Sequence, residues 1–196
     1  MKRATVLLSG GIDSAATALF LKSSGFAVRG LFVDYGQASL VLEQKAVDRL
    51  RHLIGITVDE ICASSLSSQG VGELTGRNAF LVFSAALLGN CRSGAIAIGI
   101  HSGTPYYDCS PDFLEKVDAL VQECSAGKLF VLAPFVRWSK DDVYSYFLSQ
   151  SIPLDETYSC EAGTAPSCGQ CASCLDRKRL ECSLRGAPSD SETPQN

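Results

Sequence analysis

Residues 6–21 read VLLSGGIDSAATALFL. A short apolar run stops at Ser9-Gly10-Gly11, an acid and a second serine follow, and an Ala/Leu-rich stretch begins. Strand, glycine turn and helix in that order build an anion site. The glycines let backbone N–H groups come close, and the helix opening near Ser14 turns its positive dipole end to the ligand. Ser9 and Ser14 add hydroxyls. The turn lacks the Gly-Lys-Ser/Thr ending of a P-loop, and its glycines are adjacent rather than spaced as GxGxxG. A plain chain reversal also uses adjacent glycines. Asp13 weighs against that bland reading: an acid belongs in a phosphate cradle only if a cation such as Mg²⁺ lies between them. The turn therefore points to magnesium-bound pyrophosphate.

Outward from this turn, short aliphatic runs alternate with amphipathic ones. Residues 4–8, 28–33, 56–62, 95–100 and 129–133 read as strands. Residues 14–24 read as a helix stopped by Gly25. Residues 39–54 place Ala46, Val47, Leu50, Leu53 and Ile54 on one helical face ended by Gly55. Residues 77–88 form an almost wholly apolar helix, expected to be buried. Residues 111–124 follow Ser110 as N-cap with Pro111 at the first position. Ser139 caps a further helix to about residue 149, and a short charged helix follows a Cys/Gly-rich segment beyond it. Segment 63–76, rich in Ser and Gly, reads as a mobile loop. The pattern predicts an α/β fold, a parallel sheet with helices on both faces. Such sheets bind ligands beyond the carboxyl ends of their strands, where Ser9-Gly10-Gly11, Asp34, His101 and Pro134 fall.

The chain has 196 residues, 46% of them hydrophobic, and a net charge of −4. That suits one globular domain, with no apolar stretch long enough to span a bilayer. The acidic balance disfavours a nucleic-acid partner. The first residues run straight into ATVLLSGG without a signal-peptide cleavage pattern, so a cytoplasmic location with reduced thiols is expected. The nine cysteines then need an account other than disulfides.

Four of them give it. CEAGTAPSCGQCASC carries Cys160, Cys168, Cys171 and Cys174 in the spacing C-x7-C-x2-C-x2-C. Overlapping CxxC units curl the backbone so that thiolates converge on one cation, and four thiolates favour tetrahedral Zn²⁺. Spacing alone leaves an iron–sulfur cluster open. With four protein ligands a zinc ion is structural. Cys62, Cys91, Cys109, Cys124 and Cys182 are scattered and expected to be small buried hydrophobes. The chain is expected to divide into residues 1–152, an α/β domain that carries the glycine turn, residues 153–184, a zinc-binding segment packed on it, and a polar tail, 185–196, that reads as disordered.

SGGxDS after a first strand resembles the ATP pyrophosphatase (PP-loop) superfamily, a Rossmann-like fold in which attack falls on the α phosphorus and pyrophosphate leaves. LSGGIDS, FVDYGQ, GRN at 76–78, YDCSPDF at 107–113, APF…WSK at 133–140 and TYSCEAG…CGQCASCLDRK together resemble the 7-cyano-7-deazaguanine synthase (QueC) family, over roughly residues 4–180. That resemblance implies ATP, Mg²⁺ and Zn²⁺ as cofactors, and a deazapurine carboxylate and ammonia as substrates. The carboxylate would be adenylated, converted to an amide, then dehydrated to a nitrile after a second activation. It implies ATP contacts at Leu8, Ser9, Gly10, Gly11, Asp13, Ser14 and Asp34. Asp13, Lys140 and Arg77 become candidate catalytic residues, and Arg77, Asn78 and Asp108 candidate substrate contacts. His101 reads as either a general base or a structural residue. A homodimer is a candidate assembly.

The sequence departs from the family pattern at Thr75, where proline is usual, and at Tyr158-Ser159-Cys160-Glu161, where Trp-Ser-Cys-Tyr is usual. The segment between His101 and Asp108 is short for a nitrile-forming enzyme. A second reading is therefore a QueC-like ligase that hands the activated carboxylate to a protein amine in an antiviral defence system. A tRNA-modifying PP-loop enzyme and a non-catalytic nucleotide-binding protein are the remaining alternatives. The first predicts a basic patch and the second a degraded phosphate loop, and the chain shows neither.

Overall fold

The computed structural model describes residues 2–63, 72, 74–90 and 92–185. Most of the segment read as a mobile loop, the tail beyond residue 185, and Cys91 lie outside the described residues. Five parallel strands form one sheet: β1 (Arg3–Leu7), β2 (Ala27–Asp34), β3 (Val58–Cys62), β4 (Gly94–Ala97) and β5 (Leu129–Leu132). Their order is β3-β2-β1-β4-β5. The chain moves outward from β1 to β3, then crosses back to β4, so the order reverses at β1. The crevice beyond the carboxyl ends of β1 and β4 is the switch point of the sheet.

Side chains of β1 alternate between two cores, as a period of two requires. Ala4 and Val6 pack with α1 (Ile12–Ser23), α5 (Lys140–Ser149) and Leu50 and Ile54 of α2 (Leu40–Ile54). Leu7 packs on the other face, with Val82 and Ala85 of α3 (Arg77–Leu88) and Phe113, Val117 and Val121 of α4 (Pro111–Cys124). Both faces are covered, which is why the strands read as near-continuous apolar runs. In α1, Ala15, Ala16 and Ala18 are fully buried and let the helix lie close to the sheet. The last helix, α6 (Ala172–Arg185), joins the first core through Leu180.

Several expectations are corrected. Helix α1 begins at Ile12, two residues early. Leu53 is 51% exposed, because α2 buries only the stripe of Ala46, Val47, Leu50 and Ile54. Helix α3 is not buried throughout: it buries Asn78, Val82, Ser84 and Ala85 and leaves Leu87 81% exposed. One helical stripe meets the sheet, whatever the composition of the others. Strand β4 stops at Ala97. A side chain at Gly99 would come within 2.7 Å of the Asp13 carbonyl, so the backbone there abuts α1 instead. Among the scattered cysteines Cys109 is buried, but Cys62, Cys124 and Cys182 are exposed, being on an edge strand and at outer positions of α4 and α6. No helix among the described residues is long and apolar enough to cross a membrane.

Candidate active site and metal centre

A cavity of about 360 Å³ opens at the switch point, and the glycine turn forms its floor. Gly10 has φ +85°, and a Cβ there would lie 2.9 Å from Ala46 Cβ and 3.0 Å from the Glu43 carbonyl. Only glycine lets the turn pass under α2. Gly11 is the N-cap of α1 and has no side chain to cap it, so the first-turn N–H groups are left for a ligand. Ser14 Oγ donates to the Gly11 carbonyl at 3.0 Å, and Ser9 Oγ lies 3.3 Å from Ser14 Oγ. Leu8, Ser9, Gly11, Asp13 and Ser14 all line the cavity.

Asp13 meets a cation supplied by the chain itself. Lys140 Nζ donates to its two carboxylate oxygens at 2.7 and 2.6 Å, and the lysine side chain is only 15% exposed. Lys140 is held at the start of α5 by a capping box: Ser139 Oγ accepts from the Asp142 N–H, and the Asp142 carboxylate accepts from the Ser139 N–H. Lys140 is thus a cation that the chain itself sets beside Asp13. His101 Nε2 is 3.9 Å from Asp13, and its Nδ1 accepts the Gly103 N–H at 3.0 Å. That bond leaves the ring proton on Nε2, so neutral His101 is a donor rather than a base. Burial lowers its pKa, against the opposing charge of Asp13.

Two nominated acids lie elsewhere. Asp34 does not line the cavity: its carboxylate accepts the Gly36 N–H at 2.9 Å and the Cys62 thiol at 3.4 Å, closing the turn after β2. Asp108 sits in a 3₁₀ turn (Tyr107–Cys109), where its carboxylate accepts the Asn78 N–H at 3.2 Å and its carbonyl the Asn78 side chain at 2.9 Å. It ties that turn to the start of α3 and leaves Asn78 and Arg77 lining the cavity. Pro134, after β5, does not line the cavity either.

Residues not singled out from the sequence complete the walls. Glu43, in the first turn of α2, accepts from Ser39 Oγ at 2.7 Å and Gln37 Nε2 at 3.0 Å. Burial raises its pKa, opposed by those two bonds and by the charge of Arg77. Tyr35 lies beside it, its ring edge-on to Phe80. The only signal in the sequence was an acid six residues past FVDYGQ, at the head of a helix that follows a strand end.

The C-terminal segment forms another wall. The Tyr158 N–H donates to the Gly10 carbonyl at 2.9 Å, so this segment grips the glycine turn directly. Arg177 anchors it through bonds to the Leu154 carbonyl at 2.8 Å and Thr157 Oγ1 at 3.1 Å. Within it, one sulfur each of Cys160, Cys168, Cys171 and Cys174 lie within 4.8 Å of one another. A tetrahedral ion with metal–sulfur bonds of about 2.3 Å needs sulfurs about 3.8 Å apart, and Cys168 and Cys174 are at 3.9 Å. The N–H groups of Gln170 and Cys171 point at the Cys168 sulfur and hold its thiol below the usual range. Burial, then the neighbouring thiols, push Cys174 up to about 12. Four sulfurs packed so closely repel as anions, and a cation removes that conflict. The donor set fits Zn²⁺, and Cys160, Cys168, Cys171 and Cys174 would hold it.

A parallel sheet with an SGGIDS turn at its switch point is the architecture of the PP-loop class of α/β proteins. Solved structures share the fold: NMN synthetase from Francisella tularensis (TM-score 0.51, 16% identity, 97% of this chain and 79% of that one), and the U34-tRNA thiolase NcsA from Methanococcus maripaludis with its [4Fe-4S] cluster (0.50, 13%, 100% and 76%). At those identities the likeness is of fold alone. The model of the queuosine biosynthesis protein QueC matches residues 3–78 and 73–181. The 7-cyano-7-deazaguanine synthases of Prochlorococcus marinus and Aquifex aeolicus are 33% and 31% identical, covering 88% and 92% of this chain and 90% and 95% of their own. That of Halobacterium salinarum is 34% identical, covering 90% and 89%. The chain belongs to the QueC family.

Proposed function

We propose that this protein is an ATP-dependent synthase that activates the carboxylate of 7-carboxy-7-deazaguanine by adenylation and passes it to ammonia, giving the nitrile 7-cyano-7-deazaguanine. One observation carries the reading: an intact SGGIDS turn, with Lys140 on its acid, forms the floor of a cavity in a chain of the QueC family. A carboxylate is a poor electrophile because its charge is delocalised, and adenylation supplies the leaving group. The site must hold two anionic substrates together. The N–H groups at the start of α1 would receive the phosphates, and Ser9 and Ser14 would add hydroxyl donors. Lys140 can exchange its Asp13 partner for a phosphate, which frees Asp13 to hold Mg²⁺ brought in with ATP. Arg77, which lines the cavity, would add positive charge to a site for two anions, and His101 Nε2–H would donate to an oxyanion. Zn²⁺ at the four cysteines would be structural and would hold the C-terminal wall in place.

Ammonia is the acceptor in this reading because the relatives described above carry the synthase name. The short stretch between His101 and Asp108 is the one feature that favours a larger amine on a protein. The deciding experiment is mass spectrometry of products from 7-carboxy-7-deazaguanine, ATP and Mg²⁺, with and without ammonium. The expected products are AMP, pyrophosphate and, with ammonium, the nitrile, at two ATP per nitrile. ADP in place of AMP would sink the reading. AMP without stimulation by the deazaguanine would remove that substrate.

A further inference from the structure

The acids that line the cavity are not equivalent. Asp13 is held by Lys140, and Glu161 by the Ser173 N–H and hydroxyl at 3.2 and 2.8 Å. Asp176, on α6, lies near His101 and 4.0 Å from Arg179. Glu43 has neutral partners, as Glu161 has, but Glu161 is held on one oxygen and Glu43 on both: Ser39 donates to Oε1 and Gln37 to Oε2. The Gln37 amide is itself fixed, because its oxygen accepts the Tyr35 N–H at 3.0 Å and its nitrogen also donates to the Val33 carbonyl at 3.2 Å. The carboxylate is thus held at both oxygens, and each oxygen keeps one acceptor site.

Two adjacent acceptors fit two parallel N–H donors. A guanine-type edge offers that pair, the ring N1–H and the 2-amino group. An adenine edge offers an amino donor beside a ring acceptor, which a carboxylate repels. Tyr35 lines the cavity next to Glu43 and offers a flat ring, set edge-on against Phe80 at 6.5 Å. Burial raises the pKa of this acid, and the bonds from Gln37 and Ser39 and the charge of Arg77 oppose that rise. We propose that Glu43, rather than Asp108 or Asp34, is the residue that selects the deazaguanine, by accepting its N1–H and 2-amino hydrogens in the Tyr35–Arg77 end of the cavity. This assignment rests on the function proposed above.

The test is calorimetric binding to the whole chain. The ligands are 7-carboxy-7-deazaguanine, its analogue lacking the 2-amino group, and a non-hydrolysable ATP analogue. The wild type should lose about 10- to 100-fold in affinity when the 2-amino group is absent, as expected for a bond to a charged acceptor. Glu43→Gln should weaken the parent by a similar factor, narrow the gap between parent and analogue, and bind the ATP analogue unchanged. Equal binding of parent and analogue by the wild type overturns the assignment without recourse to any variant. A Glu43→Gln protein that loses the ATP analogue instead assigns the acid to the nucleotide and also overturns it. A wild type that binds the ATP analogue but neither deazapurine overturns the functional reading itself, a different result from either of these.

Discussion

Lys140 and Asp13 are 127 residues apart in the chain and share two hydrogen bonds in the cavity. Each is partly withdrawn from water, so removing one leaves the other charged and poorly solvated. Lys140→Met should destabilise the fold by about 1–3 kcal/mol, read from urea unfolding, and reduce AMP formation by at least about 100-fold. Adding Asp13→Asn to that variant should restore stability but not activity, which separates the charge imbalance from the chemistry. Gly10 makes a second residue-scale case. With φ +85° and Ala46 and Glu43 pressed against it, Gly10→Ala should cost about 1–3 kcal/mol. An unchanged thermal midpoint in that variant would show that the turn has room the geometry denies.

At the scale of elements, two helix starts carry the site. Helix α5 presents Lys140 from its first position, and its start depends on the Ser139–Asp142 box. The Ser139 hydroxyl and N–H hold the Asp142 carboxyl below the usual range. A lowered folded pKa means stability that is present above the unfolded value and lost as pH falls through the folded one. The acid limb of the stability profile, below about pH 4, should therefore be shallower in Asp142→Asn than in the wild type. Parallel limbs would show that the box adds nothing. Helix α4 starts with Ser110 accepting the Phe113 N–H, after the turn that Asp108 ties to Asn78. Ser110→Ala should lower stability by about 1 kcal/mol, measured by circular dichroism melting.

For the whole molecule, the four-cysteine segment and the sheet are joined by direct contacts. Tyr158, Glu161 and Arg177 line the cavity, and the Tyr158 backbone holds the glycine turn. Gly163 passes so close to the Ala38 carbonyl that a Cβ would lie 2.0 Å from it, so the segment packs flush against the loop before α2. Metal binding free energy is then folding free energy for one cavity wall. Elemental analysis should find one zinc per chain in the wild type and far less in Cys171→Ser. That variant should also show faster hydrogen exchange over residues 153–185 and weaker binding of an ATP analogue. Loss of zinc with ATP binding intact would make the segment an appendage rather than a wall.

The sequence by itself determined the α/β class, the parallel sheet, the place of the glycine turn and the clustering of the four cysteines. These rest on short-range signals: period, caps, adjacent glycines and CxxC spacing act over a few residues and survive any packing. What the sequence could not supply was the use of each acid and the burial of each helix face. Asp34 and Asp108 stand at strand and helix ends, where a carboxylate serves a ligand or a local N–H equally well. The nearest donors, Gly36 and Asn78, took them into turns. Glu43 became a cavity residue only because α2 packs over Gly10, and Lys140 met Asp13 only because α5 returns to α1. Those are contacts between segments distant in sequence, and only the tertiary fold brings them within a hydrogen bond of each other.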